Sequence, residues 1–287
     1  MKYLLVITLQ VTLSFNLCYG QGTTSTDYSV RYAFTSAIDT NNLDLHRPID
    51  FILLGADNNS FFGTTSGYLN DSLVADFEER HGLTPELEDQ MSDQEADRMD
   101  RIYDKESADW QPRISVYIKV MKDFTSRQAK VNLPLLTAPP NHMVVSVNHD
   151  WKILSDTATI LGLVCQAAET YYGGRRYIAW FTPEIPLSDG PYVFAGLPGL
   201  IVKVSDDRGW YNFLMTAVTL RKQTRFWSDQ LFNSYSQEIS RKEYVRTCQR
   251  AKNNGQTSHI LNASPERVLR SKNKNAKRFY LLLERAK

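Results

Sequence analysis

Histidines, cysteines and scattered carboxylates are the residues through which this 287-residue chain could do chemistry. His142 and His149 come nearest to a metal-ligand pair, with Met143 and Asp150 beside them. A thioether in that set would favour copper over zinc. The two histidines stand seven positions apart, an odd offset, so on a continuous strand they point to opposite faces. A bulge, or a bend near Asn148, would have to bring them together. Glu184 and Asp189 are the carboxylates best placed for a pocket, and a hydrolase would need one of them beside a histidine. A Cys165 nucleophile would need a neighbouring histidine and partial exposure, yet its place between Val164 and Ala167 argues for burial. Cys165 and Cys248 either form a disulfide or are two separate buried thiols. The chain has no G-x-S-x-G elbow, no H-E-x-x-H and no phosphate-cradling G-x-x-x-x-G-K. These residues assign no catalytic group, no metal and no cofactor.

The elements that must position these groups read as strands. Short alternating runs of β-branched and aromatic residues recur at 29–35, 49–55, 60–65, 113–120, 129–133, 142–148, 151–154, 162–172, 175–182, 200–205 and 210–219. Short polar turns join most of them, which is the pattern of an antiparallel meander. Gly173-Gly174 is a two-residue hairpin turn and sets Ala167 opposite Trp180, Ala168 opposite Ala179 and Thr170 opposite Tyr177. The turn Asp206-Asp207-Arg208-Gly209 is expected to set Val202 opposite Phe213 and Val204 opposite Tyr211. Arg175 and Arg176 read as a solvent-facing hairpin tip. Helices are fewer. Thr84-Pro85 can start one in the acidic stretch 86–109, and Ser240-Arg241-Lys242-Glu243 is a capping box flanked by the staple pair Ile239 and Tyr244.

Between the strands at 175–182 and 200–205 lies the least ordinary segment. It holds Pro183, Pro186, Pro191 and Pro198 with Gly190, Gly196 and Gly199, yet also Ile185, Leu187, Tyr192, Val193, Phe194, Leu197, Leu200 and Ile201. A flexible linker would be polar. This segment is expected to follow a fixed path, either plugging one end of the sheet or presenting a contact surface. A connection of this length in a compact domain suggests function.

Trp180-Phe181-Thr182-x-x-Ile185-Pro186, Gly190-Pro191 and Gly196-Leu197-Pro198-Gly199-Leu200-Ile201 resemble the signature of the GLPGLI family, also called Porph_ging. Trp151-Lys152-Ile153 and Ile160-Leu161-Gly162-x-x-Cys165-x-x-Ala168 resemble its lead-in, so the likeness covers roughly residues 151–219. The apolar patch Phe279–Leu283 departs from the family's usual ending. The resemblance implies an exported envelope protein of Bacteroidota with no established catalytic residues or cofactor to transfer.

The remaining bounds agree with that implication. Lys2, the apolar run Tyr3–Leu17 and Cys18-Tyr19-Gly20 read as a signal peptide over 1–20, leaving 21–287 as one domain. Within it a helical acidic insert is expected near 71–109 and a basic tail near 265–287. The chain carries 33 basic and 32 acidic side chains. Losing Lys2 leaves 33 − 1 = 32 of each sign, which disfavours nucleic acid as a partner. No further apolar run is long enough to cross a membrane as a helix. The expected fold is mainly β (α+β), a curved antiparallel sheet or open barrel with a few peripheral helices. The expected function is a non-catalytic envelope binding or accessory protein, periplasmic or extracellular. Its partner would be an envelope protein or an apolar or peptide ligand. The alternatives are an envelope hydrolase acting through a loop carboxylate or Cys165, and copper handling through His142, His149 and Met143.

Overall fold

The computed structural model describes residues 23–36, 48–84, 87, 90–107, 118–133, 141–226, 237–244 and 246. The signal peptide, Cys248 and the basic tail lie outside these residues. The strands are β1 Thr23–Thr26, β2 Tyr28–Ser36, β3 Ile49–Ala56, β4 Asn59–Thr64, β5 Lys119–Asp123, β6 Gln128–Leu133 and β7 Asn141–Ser146. They continue with β8 Lys152–Ile160, β9 Leu163–Tyr172, β10 Arg175–Thr182, β11 Leu200–Asp206, β12 Tyr211–Thr219, β13 Gln223–Phe226 and β14 Gln237–Glu238. Helices α1 Thr65–His81 and α2 Asp93–Glu106 follow β4.

Twelve strands form one sheet in the order β14-β7-β6-β5-β4-β3-β2-β12-β11-β10-β9-β8. Two meanders make it, β2 to β7 and β8 to β12, and they zip together along β2 and β12. β1 and β13 pair separately. Consecutive strands β7 and β8 lie ten strand positions apart. A flat sheet would separate them by about 48 Å. Residues 147–151 join them, and a connection that short reaches only about 20 Å. The sheet must therefore curl until its two sides approach. It is not closed: β14 and β8 remain its edges.

The expected antiparallel arrangement holds except at β14, which pairs parallel with β7. The sheet is therefore mixed. The β9–β10 register has Ala167 opposite Trp180, Ala168 opposite Ala179 and Thr170 opposite Tyr177, as the Gly-Gly turn predicts. The next hairpin differs. Val204 faces Phe213, and Lys203 faces Leu214. The turn consumes Trp210 as well, because the Asp206 carboxylate accepts the Tyr211 N–H at 2.9 Å and fixes where pairing resumes. A slip of two residues leaves each side chain on its face.

The curled sheet encloses one core. Tyr32, Phe34, Phe51, Phe62 and Phe213 interlock there, with ring centroids 4.6 Å apart for Phe34–Phe213 and 4.9 Å for Phe51–Phe62. Outside the sheet, α1 lays Tyr68 on a smaller cluster of Ile52, Leu54 and Phe61. Asp71 on α1 pairs with Lys119 on β5 at 2.8 Å. The helical stretch thus begins at Thr65, ahead of the expected 71. Helix α2 starts at a capping box, Ser92 with Glu95. At the predicted box, the Glu243 N–H donates to the Ser240 hydroxyl at 3.2 Å, and Ile239 and Tyr244 pack on the main core.

Candidate functional site

The segment between β10 and β11 is a packed loop. Ile185, Tyr192, Val193, Phe194, Ala195 and Leu197 are buried in the main core, continuous with Leu200 and Ile201 of β11. Each large apolar side chain there stabilises the fold by roughly 1.5–3 kcal/mol relative to exposure. The backbone folds on itself. The Leu200 N–H donates to the Ile185 carbonyl at 2.9 Å, and the Ile201 N–H to the Asp189 carbonyl at 3.0 Å. Phe194 is the centre of an aromatic group, with centroids 4.8 Å from Tyr177, 5.4 Å from His149 and 5.8 Å from Tyr172. Of the other motif residues, Thr182, Gly190, Pro191 and Gly199 are buried, Trp180 is half-buried, and Pro186, Gly196 and Pro198 are exposed. Gly199 has φ +154°, and a Cβ there would stand 2.1 Å from the Thr182 carbonyl oxygen. Only glycine lets the loop's exit cross its entrance this closely.

Polar contacts pin the loop on two sides. On one side, the 147–151 connection supplies Trp151, whose Nε1–H donates to the Ala195 carbonyl at 2.8 Å. His149 Nε2 meets the Val193 carbonyl at 2.9 Å. A carbonyl only accepts, so this nitrogen carries the proton. Burial holds the His149 imidazole below its ordinary pKa, partly opposed by that carbonyl and aided by the nearby Lys122 charge.

On the other side, Lys122 of β5 reaches Asp189. Its Nζ lies 2.5 Å from Asp189 Oδ1 and 2.6 Å from the Gly190 carbonyl oxygen. The Lys122 side chain is 0% exposed and that of Asp189 2%. Tyr28 of β2 donates its hydroxyl to Asp189 Oδ2 at 2.7 Å, and Tyr32 donates to the Ile201 carbonyl at 2.8 Å. Burial pushes the Lys122 amine below its ordinary pKa, with Asp189 opposing. It pushes the Tyr28 hydroxyl far above its own, with Asp189 reinforcing. Lys122 is the residue that sequence reasoning misses. It shares Val120's parity on the strand and therefore Val120's inward face, but the strand expected from the sequence stops at Val120.

The predicted chemical groups do not converge. Asp189 is spent on Lys122 and Tyr28, while Glu184 accepts the Val164 backbone N–H at 2.7 Å. Cys165 is a buried free thiol. Burial raises its pKa and the Glu184 charge adds to this, which disfavours the thiolate. Alternation along β7 buries Met143 in the core and turns His142 to the opposite face, so these two do not form a joint ligand pair. Among the described residues no group of three or more His, Cys, Asp or Glu side chains could hold a metal ion. Arg175, expected at the solvent-facing tip, is buried instead. Its guanidinium lies 3.3 Å from Asp206 and 4.8 Å from the Tyr211 ring centroid.

No curated protein is significantly similar to the chain. Two solved structures of PNGF-II, in different crystal forms, are 13% and 14% identical to it over 80% and 79% of its length, each with a TM-score of 0.45. The chain spans only 34% and 33% of those proteins. Residues 173–203, which hold the Gly173-Gly174 turn, β10, the whole loop and the start of β11, match the family model described as "Protein of unknown function (Porph_ging)", and it is through this loop that the chain resembles that family.

Proposed function

We propose that this chain is an exported, non-catalytic accessory protein that binds an envelope partner through its outer edge. In this reading the Pro/Gly loop sets the shape of the barrel and leaves recognition to other surfaces. The observation that carries it is where apolar surface is used. The loop's large side chains and its carboxylate Asp189 are consumed inside, and an interior filled by aromatic rings and this loop disfavours a carrier of an internal apolar ligand. The β8–β9 hairpin, by contrast, exposes Ile153, Leu161 and Val164. Strand β8 is nine residues long and carries only Lys152 and Asp156 as charges. An edge so lightly guarded is a template for an extended segment of another protein, which adds a strand by backbone hydrogen bonds.

A photoreactive residue placed at Leu161 or Val164 should trap one discrete partner in the host envelope, whereas one at Glu79 on α1 should trap none. Adducts obtained only at the exposed loop positions Pro186 and Pro198 would overturn the edge reading and make the loop the contact surface. Retention of a small molecule by the purified protein, seen by native mass spectrometry, would overturn the filled-interior argument.

A further inference from the structure

We propose that Lys122 and Asp189 condense into an intramolecular isopeptide bond that joins β5 covalently to the loop. The amine and carboxyl are in contact at 2.5 Å, inside the core, with side-chain exposures of 0% and 2%. Two opposite charges sealed from water keep their attraction but lose their hydration, and the loss of hydration commonly outweighs the attraction. Condensation removes both charges at once.

The surroundings suit the reaction. Burial favours the neutral, nucleophilic form of the Lys122 amine. A proton passing from Nζ to the carboxylate across their contact produces the neutral amine and the carboxylic acid together. The Nζ lone pair then attacks Asp189 Cγ. The bond from Cγ to Oδ1 breaks, and Oδ1 leaves as water with two of the three protons first held by Nζ. Oδ2 stays as the amide oxygen, already accepting the Tyr28 O–H at 2.7 Å. The one proton left on Nζ stays directed at the Gly190 carbonyl, which now lies 2.6 Å away. The product therefore keeps a partner for each polar atom of the new amide. No oxidant, metal or further reactant is required.

The bond would link residues 67 apart in sequence and lock β5, in the first meander, to the loop of the second. A cross-link of that span constrains the unfolded chain strongly.

Intact-mass spectrometry of the denatured, full-length mature protein tests this. The wild-type chain should be lighter than its sequence mass by one water, and a protease digest should contain a branched peptide joining Lys122 to Asp189. Asp189→Asn should form the same link with loss of one ammonia. Lys122→Arg should show the full sequence mass. Asp189 precedes Gly190, and such pairs can also lose water by cyclising to a succinimide. A water loss that persists in Lys122→Arg, or one without the branched peptide, overturns the proposal. So does full sequence mass in wild-type protein that is folded by circular dichroism.

Discussion

Lys122 and Asp189 tie the first meander to the middle of the loop, and each depends on the other. Removing the amine alone leaves a carboxylate in the core with only Tyr28 and the Gly190 N–H as donors. Lys122→Met should therefore cost about 3–5 kcal/mol in a urea titration. Combining it with Asp189→Leu should recover the part of that loss that comes from the stranded charge, and leave the part that comes from the missing cross-link. His149 makes the fold sensitive to acid. Its native pKa lies below the ordinary 6.5, chiefly through burial. Below that ordinary value the unfolded chain binds a proton that the native chain does not. Stability is therefore greatest above about pH 6.5 and falls as the pH drops towards the native pKa. Denaturant midpoints measured between pH 7.5 and pH 5 should show this decline, and His149→Phe should flatten it. Partly buried His142, whose pKa is also lowered, accounts for a residual slope. The lowered carboxylates Glu106 and Glu169 start below 4.5 and act at lower pH.

The loop behaves as an element although it has no regular secondary structure, and its glycines differ sharply in what they tolerate. At Gly199 an added Cβ collides with the Thr182 backbone at 2.1 Å, whereas at Gly196 the nearest atom is 3.9 Å away and the obstacle is the φ of +93°. Gly199→Ala should cost more than about 3 kcal/mol, since neither chain segment can move without opening the core. Gly196→Ala should cost about 1–2 kcal/mol. Equal losses in the two variants, measured by chemical denaturation, would refute this account of the crossing. The elements also show what a sequence can disclose. The β9–β10 register follows from a two-residue Gly-Gly turn, because nothing lies between the turn and the pairing. The β11–β12 register departs by two from the one its turn predicts because the Asp206 side chain captures the Tyr211 N–H, a contact that turn composition does not reveal. Helix α1 begins ahead of its expected start because its apolar residues are spread around it and Thr64 makes no side-chain cap. The Ser92-x-x-Glu95 box of α2 is a signal that the sequence does carry, and at the start expected from Thr84-Pro85 the Thr84 hydroxyl accepts the Leu87 N–H at 3.3 Å. The loop's burial can be inferred from its apolar content, but its anchor cannot. Lys122 lies far from Asp189 in sequence, and only the curl of the sheet brings them together.

At the scale of the molecule, the loop is a brace inside a curled sheet that strand pairing leaves open. Two meanders meet along β2 and β12, and among the described residues no strand pairing joins β14 to β8. The loop and the start of β11 lie inside, fastened to β5 and β2 by Lys122, Tyr28 and Tyr32 and to the 147–151 connection by His149 and Trp151. Local opening free energies follow buried contacts and protected hydrogen bonds more closely than secondary-structure class. The amides of Leu200 and Ile201, bonded to the Ile185 and Asp189 carbonyls, should thus exchange with solvent as slowly as those of the central strands β2 and β3. Those of edge strand β8 should exchange far faster, although β8 is regular, because its residues are mostly exposed. Helix α2, which buries none of its residues, should exchange fastest of the long elements. Lys122→Met should bring the loop amides into line with β8 while leaving the β9–β10 hairpin slow, because the hairpin's own pairing does not pass through Asp189. Loop amides that exchange quickly in the wild-type protein would mean that the two meanders hold their curvature without it, and the barrel's shape would then have to come from the twist of its strands alone.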